Sequence, residues 1–246
     1  MPRFDNTAMD VAVQKLPGSA FQFSAVKMAS LGASEYTLVT IAIDVSGSIG
    51  PFQGNLVTML NTIVDACRKS PRADNLLLRV LAFNHDVREV HGFIPLASVI
   101  AYDAGDLQCS GSTALFDAAY SAISATKAYG AQLADQDYDV NAIAFIATDG
   151  DDNASSFTPA KIAAELKAIA SEEKLESFTT VLIGMGTSAQ GLQAFHADAG
   201  LTQFVDLGDI TAGKLSKLAG MTSKSISSTS QSLGTGAAAP LQSLTF

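Results

Sequence analysis

The 246-residue chain is short of the residues that several common functions require. Its 15 Lys and Arg are outnumbered by 24 Asp and Glu, and no basic cluster is available to displace counterions from a phosphate backbone. Nucleic-acid binding is therefore not expected. Cysteine occurs only at positions 67 and 109. Cys67 and Cys109 lie too far apart for a metal or redox motif, so both are expected as buried or half-buried thiols in a cytoplasmic setting. Histidine occurs only as His85, His91 and His196. His85 and His91 flank one turn, but no third ligand stands at a zinc spacing, and an exposed turn and strand position are expected for them instead. No run approaches the roughly 18 consecutive apolar residues of a membrane-spanning helix. The opening "MPRFDNTAMDVAVQKLPG" also lacks the apolar centre of a secretory signal, so no membrane insertion is expected.

What the chain does contain is apolar material in short runs. At 48% hydrophobic residues it can bury one substantial core. Apolar runs too short for helices alternate with helical patterns, which predicts an α/β domain. The expected fold is a doubly wound, mostly parallel central sheet with helices on both faces, Rossmann-like. "YTLVTIAID" reads as the first strand of the domain, and Pro51 then opens a helix carrying Leu56, Ile63 and Cys67 at helical spacing. "NLLLRVLAF" and "VREVHGF" read as a hairpin turning at Asn84, His85 and Asp86, which makes the second strand an antiparallel edge. "NAIAFIATD", "FTTVLIGMG" and "QFVDL" are further strands. Thr158 and Pro159 cap a helix carrying Ile162, Leu166 and Ile169.

The domain is expected over residues 35–220. Residues 1–34 precede it, with "FQFSAV" as either an added strand or an arm on the core. The Ser/Gly/Ala-rich stretch 221–246 reads as a flexible tail, or else as a docking segment for a neighbouring subunit.

The stretch "IAIDVSGSIGP" ends a buried strand in Asp44, Ser46 and Ser48, spaced two apart. Ligands bind at the carboxyl ends of strands in an open α/β sheet, and Gly47 and Gly50 let the loop turn so that the three side chains face one point. "CSGSTALFD" delivers Thr113 to the same rim, and "FIATDGDDN" delivers Asp149. Three hydroxyls and two carboxylates suit a hard octahedral dication, Mg²⁺ or Mn²⁺, better than Zn²⁺.

Asp44-Val45-Ser46-Gly47-Ser48, Thr113 after Gly111-Ser112, and Asp149-Gly150 resemble the three parts of the metal-ion-dependent adhesion site (MIDAS) of von Willebrand factor type A (vWA) domains. The resemblance covers roughly residues 35–220 and is to the stand-alone type found in bacteria and their phages. It implies that Ser46, Ser48 and Thr113 are direct or near-direct ligands, while Asp44 and Asp149 act largely through waters. It further implies a binding role, in which an Asp or Glu of a protein partner completes the metal's coordination.

Three competing readings differ in class. "DGDDN" matches the start of a calcium loop, but Ala154 and Ala160 stand where the turn glycine and bidentate Glu belong. Asp151 and Asp152 are then expected as exposed loop carboxylates near the metal. A haloacid-dehalogenase-like phosphatase would start from Asp44 but needs a second Asp two residues on, where Ser46 stands. No phosphate-cradling or Ser-His-Asp pattern occurs, so catalysis is not expected. The remaining alternative is a structural or assembly subunit that self-associates through its terminal arms, with incidental metal binding.

Overall fold

The computed structural model describes residues 11–186 and 189–235. Eight strands form one sheet: β1 (Val11–Lys15), β2 (Gln22–Val26), β3 (Glu35–Asp44), β4 (Leu76–Phe83), β5 (Val87–Pro95), β6 (Asp139–Thr148), β7 (Phe178–Met185) and β8 (Gln203–Gly208). Five helices accompany them: α1 (Gln53–Arg68), α2 (Leu115–Ala134), α3 (Pro159–Glu172), α4 (Ala189–Ala199) and α5 (Ala212–Ser232). Among the described residues no helix is long and apolar enough to cross a membrane.

The strand order is β1-β2-β5-β4-β3-β6-β7-β8. Strands β4, β3, β6, β7 and β8 are mutually parallel, and β5 is antiparallel to β4. This is the doubly wound, mostly parallel α/β fold with its antiparallel part at one edge. β3 sits at the centre, buried on both faces, as a parallel strand covered by helices must be. Its side chains alternate: Ile41 and Ile43 pack with Leu56, Leu60 and Ile63 of α1 and with Leu215 and Leu218 of α5. Ala42, on the opposite face, packs with Leu115, Ala118 and Ala119 of α2. Small side chains on both partners let α2 lie close to the sheet, which is why most of that Ala-rich helix is buried.

The sheet extends further on this side than the sequence indicates, with β2 joining β5 in parallel and β1 pairing with β2 antiparallel. β5 is covered by the β1–β2 hairpin, so "FQFSAV" is an added strand and β1 is outermost. The ladder between β2 and β5 amounts to the single pair Ala25–Phe93. Side chains do the rest of the docking. Glu89 accepts hydrogen bonds from the Ser24 amide at 3.0 Å and the Ser24 hydroxyl at 2.6 Å, and it pairs with the buried Arg79 at 2.7 Å. Gly92 lets the strands approach, since a Cβ there would come within 1.9 Å of the Ser24 carbonyl oxygen.

The expected tail from residue 221 is helix as far as Ser232. Met221, Thr222, Ser225, Ile226 and Thr229 are buried at three- and four-residue intervals, continuing the stripe of Leu215 and Leu218. Small hydroxyl residues fit this face because the helix lies close to the sheet, where Asn141 of β6 donates to the Thr229 carbonyl. Residues 1–10 and 236–246, which held the rest of the expected arm and tail, lie outside the described residues. Since Ile226 belongs to the main core, Ile226→Ala is expected to cost about 2–5 kcal/mol of unfolding free energy. Urea denaturation checks this, and a flexible segment would show no loss.

Candidate metal centre

β3 connects through α1 to β4 on one side, while β6 leads through α3 to β7 on the other. The carboxyl ends of β3 and β6 therefore flank the point where the chain changes direction across the sheet, which opens a crevice. Asp44 closes β3, and Asp149 follows the last residue of β6.

Asp44 forms the floor and is fully buried. Its Oδ1 accepts the Ser46 amide at 2.7 Å and its Oδ2 accepts the Thr148 hydroxyl at 2.6 Å. These bonds fold the chain back after the strand. Ser46 is buried, Ser48 is exposed at the mouth, and their hydroxyls lie 3.2 Å apart. Ser46 Oγ is also 3.4 Å from Asp149 Oδ1. Asp44, Ser46, Ser48 and Asp149 are thus brought together.

Thr113 reaches the same rim through backbone bonds on both sides. Gly47 donates its amide to the Gly111 carbonyl at 3.0 Å, and Ser110 donates to Val45 at 2.8 Å. On the other side the Thr113 amide donates to Asn153 Oδ1 at 2.8 Å, and the Asn153 amide returns a bond to the Thr113 carbonyl at 3.0 Å. Thr113 is consequently held between the Ser46–Ser48 turn and the loop that carries Asp149.

The electrostatics are one-sided. Burial raises the Asp44 pKa; hydrogen bonds from Thr148 and Ser46 partly offset this, and the Asp149 charge adds to the rise. Among the described residues neither carboxylate has an ion pair. Cys109 lies near enough for its thiol to be pushed up by burial and by both carboxylates, so it remains a neutral neighbour. No described group of three His, Cys, Asp or Glu residues forms a metal cluster, and the centre rests on hydroxyls as well as carboxylates. Two carboxylates, three hydroxyls and no cation fit a hard dication.

Sequence reasoning left several supporting residues unassigned. Asp152, expected as an exposed carboxylate, instead accepts the Phe116 amide at 3.2 Å in the first turn of α2. Asp117 in turn accepts the Ser156 and Phe157 amides at 3.0 and 2.8 Å. The signal available was the run of Asp, Asn and Ser after β6, residue types whose side chains bond nearby amides. His91 is buried, not exposed as expected, and bonds Tyr102 Oη at 2.7 Å and the Gly92 carbonyl at 2.9 Å. His85 is exposed beside Gly111, at the rim.

No protein-family model matches the chain, and no curated protein matches it in sequence. Solved structures do match in shape. Proximal thread matrix protein 1 from the mussel byssus aligns over 79% of this chain and 47% of its own, with 19% identity and a TM-score of 0.53. The pilus adhesin SpaC from Lactobacillus rhamnosus GG, in its open conformation, aligns over 85% of this chain and 32% of its own, with 11% identity and a TM-score of 0.56. The ArnB paralog VWA2 from Sulfolobus acidocaldarius aligns over 88% and 54%, with 12% identity and a TM-score of 0.52. The chain spans about half or less of each of these proteins. The likeness establishes the vWA fold.

Asp44→Asn keeps an acceptor for the Ser46 amide, and Thr148 can turn its hydroxyl to the Gly150 carbonyl 3.1 Å away. It also removes a buried charge. Because the folded pKa of Asp44 is raised, ionisation costs the metal-free fold stability as pH climbs above the ordinary aspartate value, and that cost is absent below it. The variant should unfold about 2–4 °C higher than wild type at pH 7 in EDTA, a gain of order 1 kcal/mol. The difference should vanish below about pH 4. Thermal melts at the two pH values test this; a lower midpoint at pH 7 would contradict it.

Proposed function

We propose that this chain is a metal-dependent protein-interaction module. Asp44, Ser46, Ser48, Thr113 and Asp149 would hold Mg²⁺ or Mn²⁺, and a protein partner would present an Asp or Glu to it. The observation that carries this reading is the pair of uncompensated carboxylates below an open rim of hydroxyls. A bound dication there supplies a Lewis-acidic position for an incoming carboxylate.

The chain's own residues divide the work. Asp44, with one lone-pair site on each oxygen already taken, supplies charge and holds the turn in shape. Ser46 and Ser48 offer neutral oxygens on that turn, and leave positive charge for the partner to neutralise. Ser48 stands at the exposed mouth where a partner approaches.

A phosphatase reading is less well supported. Asp44 is fully buried with both oxygens hydrogen-bonded, unsuited to nucleophilic attack, and Ser46 occupies the acid/base position. We take the protein to be a non-enzyme that acts in the cytoplasm, where its two free cysteines, one buried and one half-buried, would remain reduced. An assembly subunit, joined through its terminal arms and indifferent to metal, is the competing reading.

A pull-down from the native host, compared in Mg²⁺ and in EDTA, separates the two. Thr113→Ala removes one hydroxyl but leaves both carboxylates, which carry most of the attraction for a dication, so Mg²⁺ affinity should fall only modestly while the fold is retained. Partner capture at saturating Mg²⁺ should fall further still, because the partner's carboxylate then meets a poorly ordered ion. Capture that survives both EDTA and Thr113→Ala would favour the assembly reading.

A further inference from the structure

The two loops that meet at the centre are welded by side chains, and one of these bonds touches a candidate ligand directly. Asn153 and Thr113 are 40 residues apart in the chain, yet each donates its amide to an oxygen of the other, at 2.8 and 3.0 Å. Because the Thr113 amide is a donor, the Asn153 side chain must present its oxygen there. Asn153 is itself exposed, so the clasp adds nothing to the core.

The rest of the junction does not depend on it. Phe116 donates to Asp152, Asp117 donates its amide to Ser155 Oγ at 3.0 Å, and Asp117 Oδ1 accepts from Ser156 and Phe157. On the other flank, the Ala114 amide donates to the Asn84 carbonyl at 2.6 Å, and Gly111 is held by Gly47. Removing the Asn153 side chain would leave these anchors and the bond from the Asn153 amide to the Thr113 carbonyl in place, and would free only the Thr113 amide.

We propose that Asn153 is a positioning residue that sets which cation the centre prefers. By clasping Thr113 to the loop carrying Asp149, it holds the Thr113 hydroxyl still. That matters more for a small cation, because Mg²⁺ demands near-ideal octahedral geometry at short distances, whereas Ca²⁺ accepts longer and irregular coordination. The inference rests on the metal-binding reading above and refines it: the clasp disfavours the larger ion by denying Thr113 the freedom to move outward.

Calorimetric titration of the full chain with MgCl₂ and with CaCl₂ tests it, using wild type, Asn153→Ala and Asn153→Asp. Asn153→Ala should weaken Mg²⁺ binding about tenfold, as loss of an outer-shell partner does. Ca²⁺ binding should change by less than about threefold, so the preference shifts towards calcium. Asn153→Asp keeps the acceptor for the Thr113 amide and should restore the wild-type ratio of the two affinities. Equal losses for both ions, together with a lower metal-free unfolding midpoint, would assign Asn153 a merely structural role and overturn the proposal. So would unchanged affinities in Asn153→Ala. A wild-type chain that binds neither ion would instead overturn the metal reading, and this inference with it.

Discussion

Two carboxylates held close together without a compensating cation are the constraint on which the rest of this structure turns. Asp44 is fully buried at the end of β3, and its pKa is raised by burial and by the neighbouring Asp149. A chain with no use for that arrangement would relieve it by placing Lys or Arg alongside. Arg79 and Glu89 show that the same sheet buries a charge with its partner where structure alone is served. At the crevice it does the opposite: the hydroxyls of Ser46 and Ser48 meet beside Asp149, and backbone bonds hold Thr113 between their turn and the loop that carries Asp149.

The fold explains how that imbalance is tolerated. Parallel strands buried on both faces give Asp44 and Asp149 fixed exits at the point where the sheet changes winding direction. The cost of burying Asp44 is partly offset by hydrogen bonds from Ser46 and Thr148, so the turn is shaped before any ligand arrives. Preorganisation of this kind places the oxygen donors without further ordering on binding.

Much of this was legible in the sequence because the relevant signals are local. The run ending in Asp44 is continuous and apolar, and the two-residue spacing of Asp44, Ser46 and Ser48 marks the turn that follows. Thr113 and Asp149 each follow a recognisable loop or strand. The parts that were not legible depend on distant pairing. Nothing local to Gln22–Val26 shows that Glu89 and Gly92 wait for it 65 or more residues away. The last turns of α5 read as a polar tail because serine and threonine lack bulk; only the closeness of the sheet makes Ser225 and Thr229 suitable core residues. His91 read as exposed because alternation along β5 breaks down, with register irregularities around Val80 turning several successive side chains inward. Asp152 and Asn153 looked like loop charge and loop polarity, and their actual work is on amides of the α2 junction.

The uncompensated carboxylates call for a hard dication in the crevice formed by Asp44, Ser46, Ser48, Thr113 and Asp149. The most direct test is a crystal structure of the protein grown in Mn²⁺, with anomalous diffraction used to locate the ion. One strong peak is expected, bonded to the hydroxyl oxygens of Ser46 and Ser48, with water between the metal and Asp44. A crevice without a peak at saturating Mn²⁺, or a peak held by other residues, would contradict it.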